Sequence, residues 1–174
     1  MTVFPCVLLA GVWIGHGCDG KQEQKAIVVK VVKYDGLKEA VRKRRGNVVV
    51  VYFWVHWNPP STRNLPKLLE MQRKHGMKGL ETITVEISET SRDEPPEQQH
   101  KRVLDLLKKL NANVTNLILD EKADLIADRL GTHAPFLCAF VFNRQGEWFR
   151  FSSDETSVDP VTIEKLVVKL LKVI

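Results

Sequence analysis

The chain has 174 residues, 44% of them hydrophobic and 27% charged, with a net charge of +5. That length gives one domain with a proper core, and that balance excludes a disordered chain. The three cysteines, Cys6, Cys18 and Cys138, show neither a C-x-x-C pair nor zinc-type spacing, which excludes a disulfide framework and a structural zinc site.

The N-terminus reads as a targeting segment. Val3 to Ile14 is apolar almost throughout, too short to span a bilayer comfortably, and suited to the h-region of an export signal. Small residues precede Cys18, and the polar run Asp19-Gly20-Lys21-Gln22 begins there. The arrangement resembles a bacterial lipoprotein cleavage site with Cys18 as the lipidated residue, although Gly15 replaces the usual aliphatic residue and the n-region lacks Lys and Arg. A short membrane anchor or an uncleaved signal is the alternative. The resulting division is residues 1–18 as signal or anchor, 19–25 as linker and 26–174 as a single domain.

Within that domain, Ala26 to Val32 is β-branched and strand-like. Asp35-Gly36 is a turn signal, and Leu37 to Arg45 reads as a short helix ended by Gly46-Asn47. The basic run Arg42-Lys43-Arg44-Arg45 is read as a solvated helix face, and nucleic acid is not an expected partner. Val48 to Trp54 is an unbroken apolar run between breakers, the pattern of a central strand buried on both faces. A helix follows, running to about His75 with Pro66 inside it. Leu80 to Ile87 alternates apolar and polar residues as a strand. Glu97 to Leu110 is a helix with an apolar stripe, and Val114 to Leu119 a short strand. Asp120 then precedes a second helix that runs through Leu130 and is stopped by Gly131. Phe136 to Phe142 and Glu147 to Phe151 form a hairpin about Asn143–Gly146. Asp159-Pro160 opens the last helix as N-cap and first helical residue. The sequence of elements implies a mixed sheet with helices on both faces.

The stretch Val50-Val51-Tyr52-Phe53-Trp54-Val55-His56-Trp57-Asn58-Pro59-Pro60-Ser61 resembles the active-site segment of thioredoxins, a strand followed by F-W-A-x-W-C-x-x-C. Pro59-Pro60 and Pro66 are similar to features of the TlpA/ResA-like branch, which is exported or membrane-tethered in bacterial envelopes. Gly131-Thr132-His133-Ala134-Pro135-Phe136 resembles the family's cis-proline loop, with Pro135 as that proline. Val114 to Leu130 resembles the branch's extra strand–helix insertion. The resemblance implies an α/β thioredoxin fold and a groove between Trp57–Ser61 and His133-Ala134-Pro135. It also implies a location in the cell envelope, at the periplasm or the outer face of the inner membrane.

The two positions that carry the family's cysteines hold Asn58 and Ser61. Thiol–disulfide exchange needs a thiolate nucleophile and a second thiol to resolve the mixed disulfide. A carboxamide and a hydroxyl supply neither, so no catalytic residue is expected in this loop. Asn58 suits an N-cap and Pro59 a first helical turn, so the substitutions keep the helix start without its chemistry. Ser61 with His56 or His133 forms no nucleophilic site, because no acid partner or oxyanion donor accompanies the pair. The two histidines lack a third metal ligand, and no cofactor is expected. Tyr52 stands where thioredoxins carry a buried acid, or the TlpA-like branch an asparagine. The expected function is a module that binds an envelope protein or an extended peptide, or serves as a scaffold. The alternative is an oxidoreductase using an atypical thiol such as Cys138.

Overall fold

The computed structural model describes residues 26–87, 95–133, 135–152 and 158–173. Its elements are β1 (Val29–Val32), α1 (Tyr34–Arg42), β2 (Val48–Trp54), α2 (Pro59–His75), β3 (Leu80–Ile87), α3 (Pro96–Lys109), β4 (Thr115–Leu119), α4 (Ala123–Leu130), β5 (Cys138–Phe142), β6 (Trp148–Ser152) and α5 (Pro160–Leu171). They build one six-stranded sheet in the order β1-β4-β3-β2-β5-β6. The pairs β1–β4, β4–β3 and β3–β2 are parallel, and the hairpin β5–β6 adds antiparallel to β2.

Strand β2 lies near the middle of the sheet, and all seven of its residues are buried. Its alternation divides two cores. Val48, Val50, Tyr52 and Trp54 pack with Leu65, Leu68, Leu69 and Met71 of α2, Val103 and Leu107 of α3, and Ile163 and Val167 of α5. Val49, Val51 and Phe53 face the other way, with Leu37 of α1 and Ile126 and Leu130 of α4. Three helices therefore cover one face and two cover the other. Full burial of each large side chain contributes about 1.5–3 kcal/mol, so the β2 run alone accounts for much of the drive to form this layered core.

Several local expectations change. Helix α1 begins at Tyr34, so Asp35-Gly36 lies inside it and is no turn. The start is fixed from outside the helix: the Tyr34 N–H donates to Glu121 Oε1 at 2.8 Å, and Lys33 Nζ donates to Asp120 Oδ2 at 2.8 Å. Gly36 serves close packing, since a Cβ there would lie 3.0 Å from Val32 Cβ. The basic run is not one helix face either. Helix α1 ends at Arg42, and Arg44, in the following turn, is half-buried and bonded to Ala40 O and Thr115 Oγ1. The first strand is shorter than expected, and β5 starts two residues later, at Cys138. The polar positions of β3 do not face water: Thr82, Thr84 and Glu86 are all buried.

Among the described residues no helix is long and apolar enough to cross a membrane. The expectations for the N-terminal segment and Cys18 concern residues 1–25, outside the described residues.

Candidate functional site

The site forms where β2 ends and α2 begins. Asn58 is the N-cap of α2, with extended backbone (φ −102°, ψ 101°), and its Oδ1 accepts the Ser61 N–H at 3.2 Å. Pro59 and Pro60 fill the first helical positions, where a missing N–H leaves no partner unsatisfied. The Asn58 carbonyl accepts from the N–H groups of Ser61 and Thr62 at 3.1 and 3.2 Å.

Ser61 is fully buried. Its Oγ lies 2.9 Å from the Val55 carbonyl, 2.8 Å from the Asn58 carbonyl and 3.3 Å from the Val55 N–H. The hydroxyl donates its one proton to a carbonyl and accepts from the Val55 amide, which ties the first residue beyond β2 to the first turn of α2. Below it, Tyr52 Oη donates to the Ser61 carbonyl at 2.9 Å. Burial pushes the Tyr52 phenol far above its ordinary range, so it stays a neutral donor. No base or oxyanion donor stands against Ser61 Oγ in these contacts.

On the outer side of the loop Trp57 is 52% exposed. Its ring lies 5.5 Å from that of Phe136, tilted by 50°. This contact brings the segment after Gly131 alongside the loop. That segment starts from the left-handed cap residue Gly131 (φ 63°), whose carbonyl and that of Leu130 are both held by the Arg150 guanidinium from β6. The Pro135 carbonyl accepts from Cys138 Sγ at 3.4 Å. The expected cis bond between Ala134 and Pro135 involves Ala134, outside the described residues. His133 is exposed. Cys138 is fully buried at the start of β5, opposite Phe53.

A polar cluster beside the loop escaped sequence reasoning. The buried Glu86 of β3 places Oε1 3.2 Å from His56 Nδ1 and accepts from Gln99 Nε2 at Oε2, 3.0 Å away. Arg102 Nη2 lies 3.3 Å from the same His56 nitrogen. That nitrogen serves one neighbour at a time, donating to the carboxylate when protonated. The only sequence signal was a carboxylate on a strand followed by a helix with Gln99 and Arg102 one turn apart. His56 is thus drawn to Glu86 and not to Ser61. Among the described residues no cluster of His, Cys, Asp or Glu suits a metal ion.

The sheet order, the helix opening at the end of a buried central strand and the flanking hairpin define a thioredoxin-fold protein. In sequence the chain is similar to sporulation thiol-disulfide oxidoreductase A of Bacillus subtilis, 22% identical over 95% of this chain and 93% of that one. Among solved structures it is similar to a secreted disulfide oxidoreductase of Mycobacterium tuberculosis homologous to E. coli DsbE. That likeness has a TM-score of 0.56 and 15% identity over 74% of this chain and 86% of that one. A thiol:disulfide interchange protein of Chlorobium tepidum TLS matches with a TM-score of 0.56 and 15% identity over 75% and 83%. No family profile matches the chain. Its fold is that of DsbE- and TlpA-like proteins, and the relatives are by description thiol-disulfide oxidoreductases.

Proposed function

We propose that this is an exported thioredoxin-fold protein of the TlpA/DsbE-like kind whose Asn58–Ser61 loop performs no disulfide exchange and instead binds an extended peptide or a partner protein of the envelope. One observation carries the reading: both positions that would hold thiols are spent on structure. The Asn58 side chain caps α2, and the buried Ser61 hydroxyl bridges Val55 and Asn58. What the loop presents outward is apolar, the exposed Trp57 packed on Phe136. Strand-like pairing of a peptide beside such a surface rests on backbone hydrogen bonds and needs no cysteine. The secreted mycobacterial relative supports export, and Cys18 is the proposed point of lipid attachment.

The test is insulin reduction by the purified protein beside a working thioredoxin. Turnover at background is expected. Turnover that disappears in Cys138→Ser would replace this reading with an oxidoreductase working through Cys138. Binding is checked by fluorescence anisotropy with labelled extended peptides, which Trp57→Ala should weaken. Membrane attachment is checked by fractionating cells that carry Cys18→Ser, which should release the protein or block its processing.

A further inference from the structure

A second site lies on the opposite face of the sheet from α2. There α1 and α4 leave part of the sheet uncovered, and a cavity of about 480 Å³ opens over β2, β5 and β6. That volume falls within the range of about 300–1,000 Å³ usual for small-ligand sites. Its floor is aromatic and aliphatic. Phe53 meets Phe140 edge-to-face at 6.0 Å, and Phe140 in turn meets Trp148 at 5.5 Å. Val49 and Val51 continue the floor toward the start of β2. Trp148, on the edge strand β6, is 57% exposed. A tryptophan left so open beside an apolar floor offers a ring for an apolar body to cover.

The rim has a single sign. Lys38, Arg42, Arg44, Arg45 and Arg129 line the cavity, and among the described residues no carboxylate does. Four of these cations are paired with carboxylates that stand outside it. Lys38 pairs with Asp35 at 2.6 Å and Arg42 with Glu39 at 2.7 Å. Arg44 pairs with Glu81 at 3.5 Å, and Arg129 with Glu121. Arg45 has no such pair among the described residues. Its guanidinium lies against the β5–β6 turn, and a Cβ on Gly146 (φ 91°) would sit 3.4 Å from Arg45 Nε. A planar donor fork is thus placed at one end of an apolar trough, inside a field to which every lining charge contributes the same sign.

We propose that this cavity binds a small amphiphilic anion, a carboxylate or sulfonate on an apolar body, with the acid on Arg45 and the body over Phe140 and Trp148. The site is independent of the Asn58–Ser61 loop, which opens from the other end of β2.

The probe is anilinonaphthalene sulfonate, titrated by fluorescence into the full-length chain beside N-phenylnaphthylamine, which has the same body without the sulfonate. Arg45→Glu should weaken the sulfonate by about tenfold or more, as loss and reversal of a charge-assisted contact predicts. The same variant should leave N-phenylnaphthylamine unchanged, and Arg45→Lys should restore part of the sulfonate affinity. Trp148→Ala should weaken both probes. Arg45 is exposed and, among the described residues, pairs with no carboxylate, so its variants should keep the fold, which circular dichroism checks. Sulfonate affinity that survives Arg45→Glu overturns the anion site. Affinity for both probes that survives Trp148→Ala places the apolar body elsewhere and overturns the cavity assignment.

Discussion

The Tyr52 hydroxyl donates to the carbonyl of Ser61 at 2.9 Å, so the central strand and the first turn of α2 are joined by a buried hydrogen bond directly beneath the loop. A neutral phenol does here what a charged group would do only at a cost, since an unpaired buried charge is far more expensive than a buried hydroxyl with a partner. Tyr52→Phe keeps the ring and its packing and removes the hydroxyl with its hydrogen bonding to Ser61 and Asn64. It should cost about 0.5–1.5 kcal/mol of stability in urea denaturation, with an unchanged m-value.

Asn58→Ala removes the side chain that accepts the Ser61 N–H at the start of α2. The expected loss is about 0.5–2 kcal/mol. Asp159→Ala at α5, where Asp159 Oδ2 accepts the Thr162 N–H at 3.1 Å, should fall in the same range of about 0.5–2 kcal/mol. A neutral result at position 58 would mean that the two prolines alone hold the helix start.

Placing thiols at both positions, Asn58→Cys with Ser61→Cys, should create a measurable dithiol couple in a loop that holds none. The helix N-terminus lowers the pKa of a thiol at position 58 below the ordinary value of about 8.5. The second sulfur would occupy the buried place of Ser61 Oγ. Insulin reduction and titration against glutathione buffers read the outcome. Activity should stay below that of a working thioredoxin, because Tyr52 supplies no buried acid for proton transfer.

Acid stability should depend on Glu164. Its carboxylate is held below the ordinary range first by the hydrogen bond from Lys74 at 2.8 Å and then by His75 at 2.9 Å. The unfolded chain therefore takes up this proton before the folded protein does as pH falls. The stabilisation is fully present above the unfolded value of about 4.3 and is lost as pH drops through the lower folded value. Glu164→Gln should be less stable at pH 7 by about 0.2–1 kcal/mol, the scale of a largely exposed pair. In urea titrations the difference between the two proteins should shrink steadily as pH falls below the ordinary carboxylate range.

Where the signal was local, the sequence showed the structure. Val48–Trp54 was legible because seven apolar residues in a row between Gly46-Asn47 and the Asn58-Pro59 cap have one outcome, a strand covered on both faces. The caps at Asn58 and Asp159 were legible for the same reason, residue type against an immediate neighbour. Tertiary contacts decided what was missed. Asp35-Gly36 entered a helix because Glu121, far along the chain, captures the Tyr34 N–H. Glu86 sits at a position whose alternation marks it as the polar face of a strand, and only the covering helices turn that face inward. The cavity over Phe140 and Trp148 depends on how little of the sheet α1 and α4 cover, a matter of helix placement that no single segment encodes.

The buried polar row of β3 also settles which residues may face which. Thr84 Oγ1 donates to Asn116 Oδ1 at 2.8 Å, directly across the parallel β3–β4 pair. The Asn116 amide nitrogen meanwhile closes the turn before β4 on the Ala112 carbonyl at 2.9 Å. Sliding β3 by one residue would turn every threonine to the opposite core. Sliding it by two in one direction would bring Thr82 to Asn116 and preserve that bond, so the threonines alone do not exclude the error. Glu86 does. The same slide would carry its carboxyl away from His56 and Gln99, and a buried polar group that loses its partners costs about 1–3 kcal/mol. One acid in the interior thus acts as a proofreading mark for strand alignment, rejecting the mispairing that the rest of the strand would tolerate.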